Sequence, residues 1–387
     1  MKRIGWILVL LAAAAPAWAA KKITVQELKE TLISLQQAKK SDEEVATQLK
    51  QVELGEELTR STMDALQPYL PGPLATEQIR ILEGRAAVLA PPASDIPSIP
   101  VPDLATQKAI LSRTVNYVTK TYMQSPHLTA SKTTSRFQDG VEGIRTSSGV
   151  TSNMPNVDRS WATPSIFMRL LGTHTATVES EKGVEKVTAA KVKAPWSQNG
   201  QIAEGGPGPV LSVFLQEAAT VGKLRWLRWE TIDGKQIAVF AFTVPKEQSH
   251  YQVDYCCFPV GESTGSLGYE GVEPNFQTGT SWKPFKTVVS YHGEFFIDPD
   301  TGTIVRLITQ AEFKPTDFVH REDQRIDYGA VDVGGKRFVL PVSSFTMTEV
   351  VPNGDNYAAR YSVRHELFTA TYQNYQPAAH TAAEDRR

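Results

Sequence analysis

Gly261-Glu262-Ser263-Thr264-Gly265 spells G-x-S-x-G, the nucleophile elbow that exposes a serine on a sharp strand-to-helix turn. An apolar strand precedes it. Ser266 to Phe276, however, carries Gly268, Gly271 and Pro274 and cannot form the helix whose amino terminus supports an oxyanion. A surface loop is the plainer reading, and serine hydrolysis the lesser one. Asp298, Asp300 and Gly302 begin like a calcium loop, but the apolar Ile304 and Val305 follow where further oxygen ligands are needed, so a chain reversal is expected. Gly205-Gly206-Pro207-Gly208 lacks the Lys-Ser/Thr of a phosphate loop.

The seven histidines are scattered, and His365-Glu366 continues as Leu367-Phe368-Thr369 rather than as HExxH. His365 shares the apolar phase of its run with Tyr361 and Val363, which suits a core histidine. His292 and Glu294 share a polar strand face, and Arg306 is expected to meet Glu294 across the hairpin. Trp226, Trp229, Phe240 and Phe242 are core or rim aromatics, or the lining of a ligand surface. Cys256 and Cys257 are adjacent, so a disulfide between them needs a strained ring; free thiols or a bond to another chain are the alternatives. Without CxxC spacing they do not make a zinc site. No catalytic, cofactor-binding or metal-ligating residue is assigned, and a non-enzymatic role is expected.

The chain has 387 residues, 41% hydrophobic and 21% charged, with a formal net charge of −2. That composition is globular, and the charge gives no general attraction to nucleic acid or acidic membranes. At the amino terminus Lys2 and Arg3 precede an apolar run, Ile4 to Ala15, a break at Pro16 and the small-residue frame Ala17-Trp18-Ala19. This is the pattern of a cleavable signal peptide over residues 1–19, cut near Ala19/Ala20, and it predicts a periplasmic or secreted protein with no transmembrane anchor after cleavage.

Residues 20–90 read as a small helical bundle. Thr24/Glu27 and Ser41/Glu44 have capping-box spacing before the stripes Val25-Leu28-Leu32-Leu35 and Val45-Leu49-Val52. Another helix carries Ile79, Leu82, Ala86 and Leu89. Residues 91–103 are a proline-rich linker, after which Asp103 caps a helix with Leu111, Val115, Val118 and Tyr122 on one side. Residues 104–375 read as an antiparallel β domain: period-two runs alternate with the turn signals Asp233-Gly234, Asp298 to Gly302, Gly334-Gly335 and Asn353-Gly354-Asp355. About ten strands must curl, with the helices near 104–122 and 210–221 covering one face. Gly293 and Gly329 suggest bulges or bends, and the phase shift near Ser343-Ser344 marks a further one. Residues 376–387 read as a disordered tail. The fold class is α+β: a helical bundle, then a large curled antiparallel β-meander, half-barrel-like.

The runs YHGEFFIDPDTGTIVRLI, QRIDYGAVDVGGKRFVLP and RYSVRHELFTATYQNY, from Tyr251 onward, resemble exported proteins of the lipoprotein carrier and lipoprotein-sorting type. The whole chain is similar to uncharacterised secreted proteins of soil bacteria. The carrier resemblance implies a curled half-barrel that wraps helices and shelters acyl chains. It makes a lipid or other apolar molecule the expected ligand, and an envelope protein docked by the helical bundle the alternative partner.

Overall fold

The computed structural model describes residues 21–120, 126–139, 168–181, 184–189, 212–220, 223–260, 281–317, 319–350 and 364–378. The signal segment, both glycine motifs at 205–208 and 261–265, the Asn353-Gly354-Asp355 turn and residues 379–387 lie outside them.

The bundle begins with β1 (Lys21–Ile23), α1 (Val25–Gln37), α2 (Asp42–Leu49), β2 (Val52–Leu54), α3 (Arg60–Leu66) and α4 (Pro73–Ala86). Both anticipated capping boxes are present. Thr24 and Ser41 accept from the amides of Glu27 and Glu44, whose carboxylates take the cap amides in return. The stripes meet in one core, where Leu28, Leu32, Leu49, Leu58, Leu66 and Ile79 are buried. Two features have no local signature. β1 and β2 pair in parallel, and the Asp42 carboxylate reaches the amides of Leu74 and Ala75 at 2.9 and 2.8 Å, capping α4 from another helix.

After the linker come α5 (Leu104–Lys120), β3 (Leu128–Asp139), β4 (Met168–Glu181), β5 (Val184–Ala189), a π-helical segment Ser212–Ala218, β6 (Arg225–Ile232) and β7 (Lys235–Val244). They are followed by β8 (Gln252–Val260), β9 (Ser281–Val288), β10 (Ser290–Ile297), β11 (Ile304–Glu312), β12 (Val319–Val333), β13 (Lys336–Val350) and β14 (Arg364–Pro377). Ten strands form one antiparallel sheet in the order β5-β4-β3-β14-β13-β12-β11-β10-β7-β6. That order is a curled meander, an open ring: the first strand, β3, pairs with the last, β14, and the two free edges are β5 and β6. β8 and β9 leave the ring as a separate hairpin inserted between β7 and β10, which pair directly.

The ring has an inner and an outer face. On the inner face, Phe240, Phe242, Tyr291, Phe295 and Leu307 pack against Ile110 and Val118 of α5 and Val213 and Phe214 of the π-helical segment. The expected covering helices therefore lie where proposed. On the outer face, Ile81 of α4 packs on Phe137, Met168, Met347 and Leu367, while Val88 packs against Ile237, Val239, Phe296 and Ile308. Alternation suggests one buried face, yet Ile237 to Phe242 of β7 are buried on both because Val88 and its neighbours cover the second, while β10 alternates until Phe295 to Ile297.

Several local expectations shift. The buried stripe of α5 is Ile110-Thr114-Val118, and Val115 is exposed. Alternation places Val305 on one face with Leu307, but Ile304 joins Leu307 in the inner cluster, because the register shift between Phe296 and Ile297 pairs Ile297 with Ile304. Gly293 is no bulge: a Cβ there would lie 2.0 Å from the Ile308 carbonyl, so its role is close strand approach. A bulge does occur between Asp327 and Tyr328, opposite Ser343 and Pro341, beside the two places where the pattern changed phase. β14 continues to Pro377, past the expected start of the tail.

The Asp298 turn closes as a reversal, with the Gly302 amide on the Asp298 carbonyl at 2.9 Å and the Asp298 amide on Thr303. Arg113 of α5 donates to the Pro299 carbonyl at 2.8 Å. Gly302 has φ +75°, and a Cβ there would sit 2.3 Å from the Arg113 carbonyl carbon. Gly302→Ala is therefore expected to cost about 2–3 kcal/mol in urea unfolding, combining a left-handed backbone with displacement of α5. A loss below about 0.5 kcal/mol would show that the helix does not bear on this turn.

Candidate functional site

The β8–β9 hairpin crosses the inner face without entering its ladder, and side chains hold it there. Tyr251 and Tyr255 are four residues apart and on the same side of β8, which spaces them by about 13 Å. The Tyr251 hydroxyl donates to Glu322 Oε1 at 2.8 Å, and the Tyr255 hydroxyl donates to Glu366 Oε1 at 3.4 Å. Glu322 and Glu366 face each other through Thr348 in one cross-strand row of β12, β13 and β14. Two strand spacings make that about 10 Å, close enough to the tyrosine spacing for both phenol side chains to reach the row. A third pair repeats the chemistry: Tyr291 of β10 donates to Glu217 of the π-helical segment at 2.5 Å, and His250 Nδ1 lies 3.0 Å from the other oxygen of Glu217. Thus both covers of the inner face are pinned by buried phenol–carboxylate bonds, with Val319, Val350, Phe285 and Phe313 packed around Tyr255.

Burial sets the protonation of this row. It pushes the Glu322 carboxyl up to about 8, with Asp323 adding to the rise and the Tyr251 hydrogen bond opposing it. Burial likewise raises the hydroxyls of Tyr251 and Tyr291, reinforced by the facing glutamates. Glu322 Oε2 and Thr309 Oγ1 are buried and have no hydrogen-bond partner among the described residues. Arg136 donates to Glu366 at 2.8 Å and lies over Phe368, which completes the polar row towards β3.

The outer face carries a different constellation. Glu57, in the segment between β2 and α3, is buried and accepts from Arg306 at 3.0 Å and Arg325 at 2.7 Å. Asp327 takes the other side of both guanidinia, at 2.6 and 3.0 Å, and the Ser343 hydroxyl at 3.1 Å. Arg228 bridges Glu230 and Glu294 at 2.7 and 2.9 Å. The guanidinia of Arg228 and Arg306 both lie over Phe296, and that of Arg325 over Phe345. Burial raises Asp327, but Arg306 and Arg325 outweigh it and hold the group at about 2. For Glu230 burial wins over Arg228 and the value is about 7. This cluster joins the bundle to the sheet.

The residues singled out from sequence have other neighbours than expected. Arg306 lies opposite Phe296 and Asp327 in register, so it meets Glu57 and Asp327, while Glu294 meets Arg228. His292 bonds Glu312 at 3.1 Å across the hairpin. His365 is half-buried beside Glu349 at 3.7 Å. Trp226 and Trp229 pack edge to face at 4.7 Å in the inner core. Cys256 and Cys257 fall at the register shift between Tyr255 and Phe258 in β8. Among the described residues no three His, Cys, Asp or Glu side chains gather as metal ligands, and no helix is long and apolar enough to cross a membrane. A depression of about 140 Å³ between Gln36, Val45 and Leu70 of the bundle is well below the size of a ligand pocket. Sequence reading missed Glu57, Glu322, Glu366 and Glu217. Their only signal was position, since Glu322 and Glu366 fall in strand runs on phases that turn out to be covered.

Comparison of the chain with protein-family models, with curated proteins and with solved structures returned no match. The functional reading therefore rests on the geometry.

Removing Glu57 leaves two buried cations sharing Asp327 alone, so Glu57→Ala is expected to cost about 3 kcal/mol and to release the bundle to protease before the sheet. Cooperative unfolding with unchanged stability would refute that coupling. The pH response has two signs. The folded-state pKa of Asp327 lies below its usual 3.8, so its contribution is present above about pH 4 and lost as pH falls towards 2. Those of Glu230 and Glu322 lie above 4.5, so their contribution is full below about pH 4.5 and lost as pH rises through about 7 and 8. Glu322→Gln should therefore add about 2–4 kcal/mol at pH ~9 and little at pH ~5, measured by urea unfolding at both.

Proposed function

We propose that the chain is an exported, non-enzymatic binding protein, periplasmic or secreted, whose curled sheet shelters an apolar ligand such as a lipid beneath the β8–β9 hairpin. The observation that supports this most directly is the attachment of that hairpin. It covers an aromatic inner face, contributes Tyr251 and Val253 to its core, and is held by side chains and not by a backbone ladder with the ring. Lifting it breaks two tyrosine–glutamate bonds and exposes Tyr251, Val253 and Tyr255, with no backbone ladder to the rest of the sheet to undo. The ring is also unsealed between β5 and β6, which gives the sheet freedom to widen around a guest. Export rests on the charged, apolar and small-residue segments that open the sequence.

The test is chemical extraction of the mature protein from the cells that make it. One class of apolar molecule, near one per chain, is expected by mass spectrometry. A protein that yields none, and that also fails to take up a fluorescent fatty acid after delipidation, would end the reading. Tyr251→Phe combined with Tyr255→Phe is expected to speed release of that probe roughly thirtyfold, since each lost bond contributes about 1 kcal/mol to closure. Unchanged release kinetics would mean that the hairpin is not the way in.

A further inference from the structure

Two buried polar atoms on the inner face, Glu322 Oε2 of β12 and Thr309 Oγ1 of β11, have no hydrogen-bond partner among the described residues. Glu322 is 0% exposed and Thr309 1%. They are also neighbours. Thr309 lies opposite Gln324 in the β11–β12 register, and Glu322 is two residues from Gln324. Both side chains therefore stand on the same face at a diagonal, about 7–8 Å apart at the backbone. On its other side Thr309 lies opposite Gly293, where a Cβ would meet the Phe242 ring at 2.8 Å, so no polar group is supplied from β10. A buried polar atom left in this condition costs about 1–3 kcal/mol, and here two such atoms share one spot.

The spot lies where the apolar inner face meets its polar row. Leu307, two residues before Thr309, belongs to the aromatic cluster, while Glu322 leads through Thr348 to Glu366 and Arg136. No positive charge is free there. Arg136 is taken up by Glu366 at 2.8 Å, and Asp323, on the outer face, bonds Arg321 and Gln310. Burial pushes the Glu322 carboxyl up to about 8, which keeps it protonated at neutral pH. Since Glu322 Oε1 accepts from the Tyr251 hydroxyl, the proton is carried on Oε2. A group that bridges Oε2 and the Thr309 hydroxyl must then both donate and accept. A hydroxyl does both and reproduces the bonds that water would make, so it leaves water at little cost. A fixed charge of either sign loses its hydration there with no free counter-charge to meet it.

We infer that the apolar guest beneath the β8–β9 hairpin carries an uncharged hydroxyl-type head, an alcohol or an un-ionised carboxylic acid, seated between Glu322 Oε2 and Thr309 Oγ1. The inference rests on the ligand reading above and adds the chemistry of the guest's polar end. Its test uses the mature, delipidated chain and three fluorescent probes that share one hydrocarbon chain. They end in a hydroxyl, a sulfate or a trimethylammonium group. The hydroxyl probe is expected to bind at least about tenfold more tightly than either charged one, the effect of two hydrogen bonds gained. Thr309→Val keeps the shape of the side chain and removes one of those bonds. It is expected to weaken the hydroxyl probe about fivefold and to leave the charged probes unchanged. Should that variant fail to fold, the head-group series on the unaltered chain decides alone. Equal affinity for the three heads, preference for a charged head, or a hydroxyl preference that Thr309→Val leaves intact would each overturn the inference while the ligand reading stands. A chain that takes up none of the three probes fails the ligand reading itself, and this inference with it.

Discussion

One buried carboxylate ties the two halves of this protein together. Glu57 leaves the bundle and enters the outer face of the sheet, where Arg306 and Arg325 close on it from neighbouring strands. None of the three groups can be left there alone, because an unpaired charge in that setting costs several kcal/mol. Their mutual satisfaction therefore fixes where the bundle sits. Asp327 extends the arrangement by taking the other side of both arginines, and its own ionisation is secured by them.

Once the bundle occupies the outer face, the remaining architecture follows from what is left to cover. The inner face is aromatic and must be shielded from water, and α5, the π-helical segment and the β8–β9 hairpin do so in turn. Besides the buried Arg136–Glu366 ion pair, the two covers adjoin the sheet through tyrosine–glutamate bonds. Such bonds are weaker than the arginine pairs opposite. The molecule thus has a tightly locked side and a side held by lighter fastenings, and the binding reading rests on that asymmetry. The linker crosses from bundle to sheet with Pro91 and Pro92 buried and Ile96, Ile99 and Val101 exposed.

Much of the fold was legible in the chain. Both capping boxes, the helical stripes, the Asp233-Gly234 and Gly334-Gly335 turns and the antiparallel hairpins follow from local spacing, because caps, turns and strand pleats are satisfied by residues close in sequence. The candidate site was scarcely legible. Arg306 looked like the partner of Glu294 from strand alternation, but register placed it opposite Asp327, and a glutamate nearly 250 positions away completed its bonding. The same holds for Tyr251 with Glu322 and for Tyr255 with Glu366, whose pairing depends on a hairpin lying across strands distant in the chain.

By itself, then, the sequence determined the element types and the alternation that makes the sheet antiparallel. It also determined the presence of covering helices and an exposed, proline-stiffened crossing, since each is a matter of nearby residues and backbone restriction. Only the tertiary structure decided that β3 meets β14 in one curled, open sheet, that both faces of β7 are buried, and which carboxylates lose water. The reason is physical: solvation and long-range pairing depend on what is packed above a residue, and period-two alternation describes only the side on which it points.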